Sequence, residues 1–178
     1  TANLSYQNNQ FSIRVENLEI TTGLLNGFKM NGGLENGQFS ADVTAGGDGL
    51  KSDNEEDATR GYITIENGSI TVNAGGDAIT AETTVTINGG EFALTSGGGS
   101  EAAISEDLSA KGIKGGVSVT IAGGTFATDA ADDAIHSNAD VTIDGGAFTI
   151  ATGDDGIHGD ATVTINDNAA DKPYIDVV

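Results

Sequence analysis

The chain has 178 residues, with 27 acidic against 7 basic side chains and a formal net charge of −20. A chain that acidic is repelled by nucleic-acid phosphates and by anionic bilayers, and no apolar run in it is long enough to cross a membrane. It has no cysteine, which excludes disulfides, thiolate metal sites and thiol nucleophiles, and its 27 glycines against one proline point to many tight turns.

In chain order, residues 1–40 form an irregular segment in which Phe11-Ser12-Ile13-Arg14-Val15 alternates like a strand. That segment is expected to cap the array that follows or to pair with another subunit, with Phe11, Ile13 and Val15 as the contact residues. From residue 41 to residue 178 one unit recurs: a short strand, a glycine turn, a second strand, and an acidic turn ending in an aliphatic residue. Its copies read Ile63-Thr64-Ile65, Val85-Thr86-Ile87-Asn88-Gly89-Gly90-Glu91-Phe92, Val119-Thr120-Ile121-Ala122-Gly123-Gly124-Thr125-Phe126 and Val141-Thr142-Ile143-Asp144-Gly145-Gly146-Ala147-Phe148, with Val163-Thr164-Ile165 opening one more.

The aliphatic after the acidic turn falls at Leu50, Ile79, Ile113, Ile135 and Ile157, in steps of 29, 34, 22 and 22 residues. The base period is 22, with seven extra residues in one coil and twelve in another; these lie in the polar stretches Ser52 to Arg60 and Ser96 to Ser109. A unit this short cannot bury its apolar face alone, but copies of it stacked ~4.8 Å apart can. The expected fold is all-β, a parallel β-helix. Its interior ladders are Val85, Val119, Val141 and Val163, then Ile65, Ile87, Ile121, Ile143 and Ile165, then Phe92, Phe126 and Phe148. At the far end Ile175, Val177 and Val178 are expected to meet another copy of the chain.

The acidic turns carry the chemistry. Two residues before the aliphatic come Asp48, Asp77, Lys111, Asp133 and Asp155; three after it come Asp53, Glu82, Gly116, Asn138 and Asp160. Stacking brings carboxylates of adjacent coils to ~5 Å, where like charges raise each other's pKa or require a cation. Hard oxygen donors without cysteine select Ca²⁺. The candidate ligands are Asp48, Asp53, Asp77, Glu82, Asp132, Asp133, Asn138, Asp154, Asp155 and Asp160, serving several ions. Lys111 stands in the aspartate column, where its ammonium replaces the ion. His136 and His158, one coil apart, read as turn residues that hydrogen-bond the carboxylates, since two histidines alone make a poor zinc site.

Several stretches carry a family likeness: Gly47-Asp48-Gly49-Leu50-Lys51-Ser52-Asp53-Asn54, Ala58-Thr59-Arg60-Gly61-Tyr62, Ser109-Ala110-Lys111-Gly112-Ile113, Ala131-Asp132-Asp133-Ala134-Ile135-His136-Ser137-Asn138 and Gly153-Asp154-Asp155-Gly156-Ile157-His158. Over residues 41–167, taken in order and including both insertions, the chain resembles a secreted bacterial carbohydrate-binding β-helix family related in fold to the pectate lyases. The resemblance implies a right-handed parallel β-helix, an extracellular location, calcium at the acidic turns, and binding without cleavage of polysaccharides such as cellulose and polygalacturonate.

Three functions are weighed. The first is a non-catalytic, calcium-dependent binder of acidic or cellulosic polysaccharide, in which the ion bridges protein and sugar. The second is the subunit of a calcium-stabilised fibre built by head-to-tail stacking of β-helices. The third is a lyase in which Arg60 removes a proton from a calcium-bound uronate; set against it is an ion pair of Arg60 with Asp57 or Glu56, and no acid, base and oxyanion donor group together. With no tryptophan and three tyrosines, a flat aromatic platform for cellulose is not expected.

Overall fold

The computed structural model describes residues 2–7, 10–15, 28–35, 38–57, 59–105, 107–167 and 172–178. Every element in it is a strand. β1 (Ala2–Gln7) and β2 (Gln10–Val15) pair antiparallel as a ribbon. β3 (Phe28–Glu35) and β4 (Gln38–Ala45) form a second antiparallel pair, and β4 opens the first coil. That coil continues through β5 (Leu50–Ser52) and β6 (Ile63–Ile65). The second coil is β7 (Ser69–Ala74), β8 (Ile79–Ala81) and β9 (Thr84–Ile87). The third is β10 (Glu91–Ser96), β11 (Ile113–Gly115) and β12 (Ser118–Ile121). The fourth is β13 (Thr125–Ala130), β14 (Ile135–Ser137) and β15 (Asp140–Ile143). The fifth is β16 (Ala147–Thr152), β17 (Ile157–Gly159) and β18 (Thr162–Ile165), and β19 (Tyr174–Val177) starts a sixth.

Each strand of a coil pairs in parallel with its equivalent in the next, which gives three sheets. Sheet I runs β3-β4-β7-β10-β13-β16-β19, sheet II runs β5-β8-β11-β14-β17, and sheet III runs β6-β9-β12-β15-β18. This is a parallel β-helix, as the period requires. The registers Leu50↔Ile79, Ile79↔Ile113, Ile113↔Ile135 and Ile135↔Ile157 reproduce the uneven steps, so both insertions leave and rejoin the array without shifting it. β4 runs through residue 40 and shares sheet I with β3, with Leu34 opposite Phe39 across the pair.

The ladders form because alternate residues point inward. Val85, Val119, Val141, Ile87, Ile121 and Ile143 are fully buried, each contributing about 1.5–3 kcal/mol relative to exposure. Phe92, Phe126 and Phe148 stack with centroids 4.7 and 4.6 Å apart, and Ile175 continues their row by pairing with Phe148. The turn before each phenylalanine demands glycine: Gly90, Gly124 and Gly146 have φ of 123°, 120° and 106°, and a Cβ on Gly90 would stand 2.7 Å from the Gly68 carbonyl oxygen. In the last full coil the ladder is open, with Val163 and Ile165 44% and 50% exposed.

Candidate functional site

The corner between sheets I and II is where the acidic turns stack. Backbone bonds align them: Gly49 N–H donates to the Asp77 carbonyl, Ala78 to Lys111, Gly112 to Asp133 and Ala134 to Asp155, at 2.8 to 3.0 Å. The side chains are stitched along the same line. Asp48 Oδ1 accepts the Asp77 N–H at 3.0 Å, Asp77 Oδ1 accepts the Lys111 N–H at 2.8 Å, and Asp133 Oδ1 accepts the Asp155 N–H at 3.0 Å. The column is therefore not a bare pile of anions: a main-chain donor of the next coil stands between successive carboxylates, and hydrogen bonds to an ionised acceptor are the strong kind.

Lys111 fills the rung that lacks an acid. Its Nζ lies 2.6 Å from Asp132 Oδ2 and 3.0 Å from Asp133 Oδ2. Burial works against the charge of Lys111, but its bonds to Asp132 and Asp133 outweigh that and raise its pKa above the ordinary lysine value. Burial likewise opposes ionisation of Asp133. The donors Lys111, Asp155 N–H and His136 overcome it and hold that carboxyl below the usual aspartate value.

On sheet II the outward position of each three-residue strand forms a second column: Lys51, Thr80, Lys114, His136 and His158. The lysines and histidines of this column are the partners of the acids. Lys51 Nζ donates to Asp48 Oδ2 at 2.9 Å, and Lys114 Nζ lies 3.7 Å from Asp77 Oδ2 and 3.2 Å from Ser109 Oγ. His136 Nδ1 lies 2.8 Å from Asp133 Oδ2, and His158 Nδ1 lies 2.8 Å from Asp155 Oδ2. Both histidines thus bond the carboxylates of their own turns, as expected. The hydrogen bond to Asp155 is the main cause that raises the His158 pKa above 6.5.

The third column, Asp53, Glu82, Gly116, Asn138 and Asp160, runs along the edge toward sheet III. Asn138 Oδ1 and Asp160 Oδ1 face Nε2 of His136 and His158 at 3.0 and 3.1 Å. In the first coils Asp48, Asp53, Asp77 and Glu82 line one groove of about 330 Å³ together with Lys51 and Lys114. Among the described residues, Asp53 and Glu82 form no ion pair, whereas Asp48 and Asp77 do. The two insertions flank sheet II on opposite sides, one between β5 and β6 and the other between β10 and β11. The second sends Ser109 Oγ to Asp77 Oδ1 at 2.7 Å.

The ten candidate metal ligands therefore fall into three places. Asp48, Asp53, Asp77 and Glu82 share the groove. Carboxylate oxygens of Asp132, Asp133 and Asp154 lie within 4.8 Å of one another, and the Lys111 ammonium bonds the first two. Asn138, Asp155 and Asp160 hold the imidazoles. Of the candidate contact residues between copies, Phe11, Ile13 and Val15 lie on β2 opposite Tyr6, Leu4 and Ala2. Ile175 packs against the core, and Val177 and Val178 are exposed. Arg60 Nε sits 3.5 Å from Asp57 Oδ2, the ion pair set against its use as a base. Lys51 and Lys114 were not singled out from the sequence; the signal available was their place between inward residues in Leu50-Lys51-Ser52 and Ile113-Lys114-Gly115.

Fold and site together define a parallel β-helix protein with one polar, groove-bearing sheet. A family model described as carbohydrate-binding domain-containing protein matches residues 6–156, and the chain belongs to that family. No curated protein and no solved structure matches the chain. Among the described residues no helix is long and apolar enough to cross a membrane.

Proposed function

We propose that this protein is a non-catalytic extracellular module that binds acidic or cellulosic polysaccharide along sheet II, with Ca²⁺ held by the carboxylates of its turns. The observation that carries this reading is the groove in which Asp48, Asp53, Asp77 and Glu82 converge beside Lys51 and Lys114, on a chain of a carbohydrate-binding family. The donor set fits the ion: the acids are hard oxygen ligands, and Asp53 and Glu82 stand on adjacent coils with no cationic partner among the described residues. When bound, Ca²⁺ would supply a positive centre for sugar carboxylate or hydroxyl oxygens. Lys51 and Lys114 donate hydrogen bonds on the same face, and the groove excludes part of the water around them. Weak oxygen sites of this kind suit the calcium levels outside cells, at about 10⁻⁴–10⁻³ M. The test is affinity electrophoresis and pull-down on polygalacturonate and cellulose with calcium and with chelator. Retention that chelator abolishes supports the reading; no retention with calcium present ends it.

A further inference from the structure

Two imidazoles on sheet II are not used by the polysaccharide reading. His136 and His158 are register partners on β14 and β17, with ring centroids 5.0 Å apart and planes 28° from parallel. One ligand atom from each of Asp133, His136 and His158 lies within 4.8 Å of the other two. Both nitrogens of each ring face oxygen: Nδ1 meets Asp133 or Asp155 at 2.8 Å, and Nε2 meets Asn138 or Asp160 at 3.0 or 3.1 Å. A neutral imidazole has one N–H and one lone pair. At His158 both nitrogens face carboxylates, so a neutral ring donates to only one of them and the other contact takes a second proton or a metal ion. A metal-ligating histidine commonly donates its other N–H to a carboxylate or carbonyl oxygen, which is what Asp160 and Asn138 offer here.

We propose that Asp133, His136 and His158 form a site for one divalent transition ion of the Zn²⁺, Ni²⁺ or Cu²⁺ class, chemically distinct from the calcium sites of the acidic turns. Imidazole selects these ions, whereas Ca²⁺ takes oxygen. The structure adds what the two histidines lacked in sequence, a third ligand from the neighbouring column. Metal bonds of about 2.0–2.1 Å place tetrahedral ligand atoms about 3.3 Å apart, so the 2.8 Å His136 Nδ1···Asp133 Oδ2 contact opens slightly, while His158, within 4.8 Å of both, turns from Asp155 toward them. His158 is half-exposed, which leaves the ion open to solvent and to a sugar hydroxyl on one side. Lys111 Nζ, 3.0 Å from Asp133 Oδ2, competes with the ion for that oxygen and weakens the site.

The experiment is calorimetric titration of the untagged full chain with ZnCl₂, with Cu²⁺ electron paramagnetic resonance to count nitrogen ligands. The expected result is one saturable site showing two imidazole nitrogens and persisting in millimolar Ca²⁺. Affinity should fall at least tenfold in His136→Gln and in His158→Gln, and rise several-fold in Lys111→Met. His158 is exposed enough that its variant keeps the fold, which a thermal melt verifies. Absence of saturable zinc binding, equal affinity in the His158 variant, or displacement by calcium overturns the site. Unchanged affinity in Lys111→Met overturns Asp133 as a ligand. Polysaccharide retention is read separately, so either proposal can fail alone.

Discussion

Lys111 and Asp133 occupy the same column one coil apart, and the ammonium of the first lies 3.0 Å from the carboxylate of the second. Asp132, next to Asp133, takes the other bond of that ammonium at 2.6 Å. One rung of the acidic column is thus neutralised from within the chain, by a side chain that is only 12% exposed.

Lys111→Ala removes that cation and leaves two partly buried carboxylates facing each other. The expected loss of stability is about 1–3 kcal/mol, the range for a charged hydrogen bond in a partly shielded place. Urea denaturation measures it. Millimolar calcium should raise the melting temperature of the variant more than that of the parent protein, and equal shifts would mean that the acids at this rung do not hold the ion.

Stability should fall toward both ends of the pH range. The Asp133 carboxyl titrates below its ordinary value of 3.8 in the folded chain, so its contribution is present above about pH 4 and is lost as pH falls through the folded value. His158 titrates above 6.5, so its contribution is complete below that pH and is lost as pH rises through the raised value. Melts from about pH 3 to pH 9 should show an acid decline and a smaller decline above neutrality. The second decline should vanish in His158→Gln.

Phe126 stacks between Phe92 and Phe148 and is 2% exposed. Phe126→Ala should cost about 3–5 kcal/mol, the range for emptying a buried aromatic position. Chemical denaturation with an unchanged m-value is the readout. A cost below about 1 kcal/mol would show that the coils close over the gap.

Lys51 and Lys114 donate into the groove, so Lys51→Gln and Lys114→Gln should each weaken retention on polygalacturonate up to about tenfold, or about 1.4 kcal/mol. Thr142→Val, on sheet III, is the control and should leave retention unchanged. Equal behaviour of all three variants would move the binding face away from sheet II.

The period was legible because the same aliphatic position recurs at Leu50, Ile79, Ile113, Ile135 and Ile157, and each of these residues pairs with the next. The pairing of β3 with β4 was not, because Phe28–Glu35 carries Gly32-Gly33 in mid-strand and lacks the Val-Thr-Ile pattern. The columns of acids were also readable, being set by register. What stands between them was not: the donors are main-chain N–H groups, which every residue but proline carries and composition cannot reveal. The roles of Lys51 and Lys114 depend on their facing Asp48 within one turn and Asp77 of the preceding coil, a matter of side-chain direction rather than spacing.

The two insertions open at opposite corners of sheet II and return to an unshifted register. Lengthening or trimming either one changes a wall of the groove and leaves every interior ladder in place. Ligand preference can therefore drift, by evolution or by loop grafting, along a route that is mechanically insulated from the core.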